Sequence, residues 1–172
     1  MGSEMCIRDR NAMCADCHST NFEKNYDVSL NRYGSTFAEI DVACEACHGP
    51  GSAHMDWAAQ VATASRNAEG PNITGGSSGL VVQFPRSADR SWLIDADTGL
   101  AHRVPESTSQ VEIETCGRCH ARRGAIVAEY GFDRPLTDSY RISLLERGLY
   151  HGDGQILDEV YVYGSFLQSR MY

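Results

Sequence analysis
The chain has 172 residues, is 42% hydrophobic and carries a net charge of −8 with histidine neutral, a length that suits one domain or a piece of a larger protein. The acidic balance excludes attraction to nucleic-acid phosphates or anionic membranes and favours a basic protein partner. No apolar run is long enough to span a bilayer, and because alanine and cysteine supply much of the hydrophobic fraction, a conventional core is thin.

Taken in chain order, residues 1–10, MGSEMCIRDR, hold Cys6 and read as a non-native leader. Residues 11–172 form the expected domain. CADCH, with Cys14, Cys17 and His18, opens it, and a polar connector rich in Asn, Asp and Gly leads to TFAEIDVACEAC, which reads as a short helix carrying Cys44, Cys47 and His48. After a Gly-Pro-Gly corner, HMDWAAQVATASRN predicts a helix from His54 with Trp57, Val61 and Ala64 on one face. GPNITGGSSG breaks regular structure, and LVVQF and SWLID then read as short strands in an irregular stretch.

STSQVEIETCGRCHARR returns to helical spacing, with Val111, Thr115 and Arg118 on one stripe and Cys116, Cys119 and His120 at its end. LTDSYRISLLERG predicts a capped helix closed by Gly148. The last stretch places Val160, Tyr163, Leu167 and Met171 on one helical face and stops in mid-pattern, and with the non-native leader at the other end the domain reads as truncated at both ends.

The three Cys-x-x-Cys-His motifs consume every cysteine but Cys6. This is the attachment pattern of c-type haem. Two thiols one helical turn apart suit the two vinyl groups of one porphyrin, and the adjacent imidazole suits the iron as proximal ligand. Zinc ribbons pair two Cys-x-x-Cys knuckles into one tetrahedral site, which would leave the third knuckle unpartnered and give the histidines no task. Thioredoxin-like chemistry lacks its surrounding βαβ pattern, and no catalytic triad, phosphate loop or carboxylate pair stands out.

Three covalent haems would supply the missing interior. The expected fold is mainly α with long loops and little β, organised around them. After the proximal imidazoles, three histidines remain for the sixth coordination positions: His54, aimed by the Gly-Pro-Gly corner; His151, beside a glycine-rich turn; and His102, which reads equally as a ligand and as a surface residue. Met13, Met55 and Met171 are alternative thioether ligands, although packing is the commoner fate of methionine. Arg122 and Arg123 read either as partners of haem propionates or as solvated surface.

With MCADCHSTNFEKNYD, EIDVACEACHGPGSAH, CGRCHARR and LYHGDGQILDEVYVYGSFLQSRMY in place, the chain resembles bacterial multihaem c-type cytochromes of the cytochrome c554 and c-prime group, of the kind associated with tetratricopeptide repeats. The resemblance implies periplasmic or cell-surface electron transfer between closely packed haems and further haem segments of the same parent protein; the redox partners expected are basic proteins, from the acidic charge, or other cytochromes. It carries His54 and His151 over as distal ligands and gives His102 no counterpart. The competing expectation is an oxidoreductase acting on a small nitrogen or sulfur compound at one haem with an open face.

Overall fold
The computed structural model describes residues 10–66, 78–85, 91–106, 109–127, 130–132, 134–169 and 172. Its backbone divides into two units, Met1–Gln83 and Phe84–Tyr172.

In the first unit a π-helical turn, Arg10–Cys14, runs into the one-turn helix α1, Ala15–His18. A two-residue ribbon follows, β1 (Tyr26–Asp27) against β2 (Arg32–Tyr33), with Tyr26 opposite Tyr33. Asp27 closes its turn by accepting the backbone N–H groups of Ser29 and Leu30 at 2.8 and 3.1 Å. The Ser29 hydroxyl and the Leu30 N–H hold this carboxyl below its ordinary range.

The helix expected over TFAEIDVACEAC is confined to α2, Cys44–His48. Its upstream half is spent on another partner. Glu23 and Thr36 exchange backbone hydrogen bonds of 2.9 and 3.0 Å, and Thr20 does the same with Glu39 and Ala38 at 2.9 Å, which leaves those residues unable to wind a helix. Gly49, at φ 76°, ends α2 in a conformation that glycine adopts without strain. Helix α3, Ser52–Arg66, then forms as expected. His54, Trp57, Val61 and Ala64 are its only half-buried residues, and the rest of α3 is exposed. Most of GPNITGGSSG lies outside the described residues.

The strand expected over LVVQF does not form, since residues 80–84 carry no strand. Val82 instead gives its N–H to the His48 carbonyl at 3.1 Å. SWLID does form one: in the second unit β3 (Ser91–Ile94) pairs antiparallel with β4 (Ala101–Val104). Helix α4, Val111–His120, ends at the third motif. The helix expected over LTDSYRISLLERG is cut to α5, Leu136–Ser139. Tyr140–Ile142 become strand β6 against β5, Arg123–Ala125, as an aromatic and a β-branched residue at the ends of a three-residue run allow.

The last predicted helix reduces to α6, Tyr163–Leu167, with Val160 ahead of it outside any helix or strand and Met171 outside the described residues. α4 packs on both α5 and α6 through Gly117, where an added Cβ would lie 2.6 Å from Leu136 Cδ2 and 2.8 Å from Tyr163 Cε2. Glycine between the cysteines of the third motif therefore has a packing cause.

The expectation of a thin core holds among the described residues. The buried apolar side chains are Ala15 and Val82 in the first unit and Ala121, Leu136, Tyr140, Tyr150 and Val160 in the second. Against these stand large apolar residues left open to solvent, such as Val28 at 80%, Ile94 at 75% and Ile40 at 72% exposure. Soluble chains seldom leave so much apolar surface without something to cover it.

Candidate functional site
Each Cys-x-x-Cys-His motif is helical, and each of α1, α2 and α4 ends on the motif's histidine. Residues i, i+3 and i+4 share a helix face, so each motif presents its two thiols and its imidazole on one side. The pattern of exposure repeats: Cys14, Cys44 and Cys116 are exposed, while Cys17, Cys47 and Cys119 are half-buried. None of the six forms a disulfide. Among the described residues no three His, Cys, Asp or Glu side chains gather as a metal cage, so no tetrahedral zinc site is assembled there.

The first and second motifs are stitched together by Thr20, which is 1% exposed. Its hydroxyl donates to the Asp41 carbonyl at 2.8 Å and accepts the Ala43 N–H at 2.9 Å. Thr20 lies two residues after His18, and Ala43 directly precedes Cys44. Both hydrogen-bonding roles of this buried hydroxyl are therefore used to bring the end of one motif to the start of the next. Glu45, between the cysteines of the second motif, accepts the Gly51 N–H at 2.7 Å and an Asn21 side-chain N–H at 3.4 Å. It thereby ties the Gly-Pro-Gly corner back to α2.

The histidines differ in their support. His48 is half-buried, and its Nδ1 lies 2.8 Å from the Val82 carbonyl oxygen. His54 is half-buried, its Nδ1 is 2.6 Å from the Ser78 carbonyl oxygen, and its ring stacks on Trp57 at 5.3 Å. A carbonyl can only accept, so both rings carry a proton on Nδ1, which leaves Nε2 as the nitrogen facing away from that backbone contact. His18 and His120 are exposed.

His102 is exposed on β4 opposite Leu93, in a hairpin whose Trp92, Leu93 and Ile94 are all exposed. His151 is exposed in a loop closed by its own N–H to the Gln155 carbonyl at 2.8 Å. It lines a cavity of about 810 Å³ with Leu145, Arg147, Tyr150 and Leu157.

The third motif has a neighbourhood of its own. Arg118, between its cysteines, places its guanidinium 4.0 Å from the centre of the Tyr130 ring and 4.7 Å from that of Phe132. Tyr130 stacks in turn on Tyr140 at 5.7 Å, and Arg123 covers Tyr140 at 3.8 Å. Burial raises the Tyr130 phenol above its ordinary range, and the Arg118 charge opposes that rise. Burial also raises the Glu114 carboxyl, helped by the nearby Asp138 charge. Arg122 pairs with Asp158 at 3.8 Å and donates to the Glu159 carbonyl at 2.9 Å, so within the chain its charge already has a partner.

Two features lay outside the sequence reading. One is the segment 78–82 behind His48 and His54, which joins the end of the expected break GPNITGGSSG to the start of the expected strand LVVQF. The other is the aromatic bed under Arg118, which depends on β6 bringing Tyr140 to Tyr130, and no local signal marks that approach.

Residues 2–49 match the family model described as cytochrome c554 and c-prime, a span that contains the first and second motifs. No curated protein matches the chain. Among solved structures, the outer cell wall cytochrome OcwA aligns with 92% of the chain at a TM-score of 0.54 and 18% sequence identity. The chain spans 28% of that structure's length. A cytochrome fold, helical with long loops and little strand, thus extends over nearly all of these residues. No helix among the described residues is long and apolar enough to cross a membrane.

Proposed function
We propose that this chain, having the fold of a multihaem cytochrome, is an electron-transfer module that carries three covalent c-type haems outside the cytoplasm. Three motifs that each end a helix on the histidine, with the same alternation of exposed and half-buried thiol, are the observation that carries this reading. The residues fit the group: the thiols are unbridged, two imidazoles are held through Nδ1 with Nε2 turned away from that contact, and exposed apolar residues await a cover.

Cys14 and Cys17, Cys44 and Cys47, and Cys116 and Cys119 would hold one haem each by thioether bonds, with His18, His48 and His120 as proximal ligands. When bound, each haem supplies a one-electron iron couple whose potential follows from its axial ligands and surroundings. His54, His151 and His102 are the distal ligands in this reading. His54 has the best support, because Ser78 and Trp57 fix its ring before any metal arrives. Filling both axial positions with side chains excludes small molecules from the metal, which favours carrying electrons over catalysis.

The acidic surface favours a basic redox partner or another cytochrome, and the outer-cell-wall neighbour supports a place at the cell surface. Optical and electron-paramagnetic spectra of the matured protein test the ligation. Six-coordinate low-spin signals are expected throughout, and a substantial five-coordinate high-spin fraction would contradict three histidine pairs.

A further inference from the structure
We propose that residues 78–82 are a strap that positions His48 and His54 together, and that this shared support gives the haems they serve the lowest potentials in the chain. The inference rests on the haem reading above and deepens it.

Three contacts define the strap. Val82, 4% exposed, holds His48 twice: its N–H donates to the His48 carbonyl at 3.1 Å and its carbonyl accepts the ring proton on Nδ1 at 2.8 Å. Four residues earlier, the Ser78 carbonyl accepts the His54 Nδ1 proton at 2.6 Å. Between them Gly79, at φ 74°, lies against the peptide that joins Ala53 to His54. A Cβ there would stand 2.6 Å from the Ala53 carbonyl carbon and 2.7 Å from the His54 nitrogen. Only glycine lets the strap come this close in this conformation. One short segment thus sets the tautomer and the direction of both imidazoles that flank the Gly-Pro-Gly corner.

The consequence is electronic as well as geometric. A backbone carbonyl that takes the Nδ1 proton of a ligating histidine fixes its ring and makes Nε2 a stronger donor to the metal. Stronger donation favours the oxidised iron, so the potential falls. His18 and His120 are exposed, and no hydrogen bond from either ring to another described residue accompanies that exposure. The strap therefore separates His48 and His54 from the other two helix-end imidazoles. Val82 and Ser78 are positioning residues, acting on the metal only through the rings they hold.

The test uses the matured protein with its haems counted by mass. Hyperfine-shifted NMR signals of the ligand Nδ1 protons are followed after transfer to deuterated solvent. Two of them, assigned to His48 and His54 by the Val82 and Ser78 neighbours, should exchange at least tenfold more slowly than those of His18 and His120. In Gly79→Ala the His54 proton should join the fast group. The lowest-potential step of a redox titration should also rise until, at the original midpoint, the reduced-to-oxidised ratio is about tenfold higher, a shift of about 59 mV for one electron.

Equal exchange rates in the three-haem protein would overturn the strap while leaving the haem reading intact. So would a Gly79→Ala protein with three haems, unchanged exchange and unchanged potentials. If Gly79→Ala fails to mature, exchange in the unsubstituted protein decides the question alone. A product with no haem would contradict the reading beneath the inference instead.

Discussion

Made without haem attachment, with all six motif cysteines replaced by alanine, the chain is expected to lose cooperative structure. The reason is the shortage of interior. Among the described residues only seven apolar side chains are buried, and two of them are alanines. The two-residue ribbon β1–β2 and the exposed hairpin β3–β4 cannot hold together by themselves. Helices α1, α2, α5 and α6 are one turn or little more, far below the length at which a helix persists in water. Their order must come from what packs on them, as in small domains whose folding is inseparable from a bound metal. Circular dichroism and amide exchange of the substituted chain should show no cooperative melting and little protection, whereas the matured protein should show both. A colourless chain with a sharp thermal transition would contradict this.

His54→Ala is expected to change one iron centre while leaving the others as they were. His54 is well supported in place: it lies on the half-buried stripe of α3 with Trp57, Val61 and Ala64, it stacks on Trp57, and it is anchored to Ser78. Its removal deletes a ligand without deleting a thioether attachment, so the haem count should stay the same. About a third of the low-spin signal should convert to high-spin, and that centre should acquire sensitivity to added nitrite or hydroxylamine. Its potential should also rise once the imidazole is lost. A spectrum identical to that of the unsubstituted protein would show that His54 ligates nothing, and would return His54 to the role of a packed helix residue.

The two parts of the molecule were legible to different degrees. The motifs were readable because covalent chemistry fixes their spacing, and each indeed closes a helix at His18, His48 or His120. Helix α3 was readable because its stripe repeats over fifteen residues. The expected helices around residues 36–43 and 140–148 failed for a common reason. Their local pattern was outbid by distant backbone partners, Thr20 and Glu23 in one case and β5 in the other, and tertiary pairing of this kind overrides propensity.

Residues 80–84 were misread because the apolar run LVVQF suggests a strand, whereas the work of segment 78–82 is done by its carbonyls and by one glycine. No side-chain pattern can announce that. Arg122 and Arg123 illustrate the same limit. Arg122 is the solvated surface residue expected, in an exposed pair with Asp158, whereas Arg123 is half-buried over Tyr140, and both partners are remote in sequence.

The mass of the full chain, matured in a compartment competent for haem attachment and measured under denaturing conditions, tests the central claim most directly. Thioether-bound porphyrins survive denaturation. The mass should therefore exceed that of the polypeptide by three haems, and should fall by one when either Cys14 and Cys17, Cys44 and Cys47, or Cys116 and Cys119 are replaced as a pair. A mass equal to the bare polypeptide in a folded product would contradict the whole account.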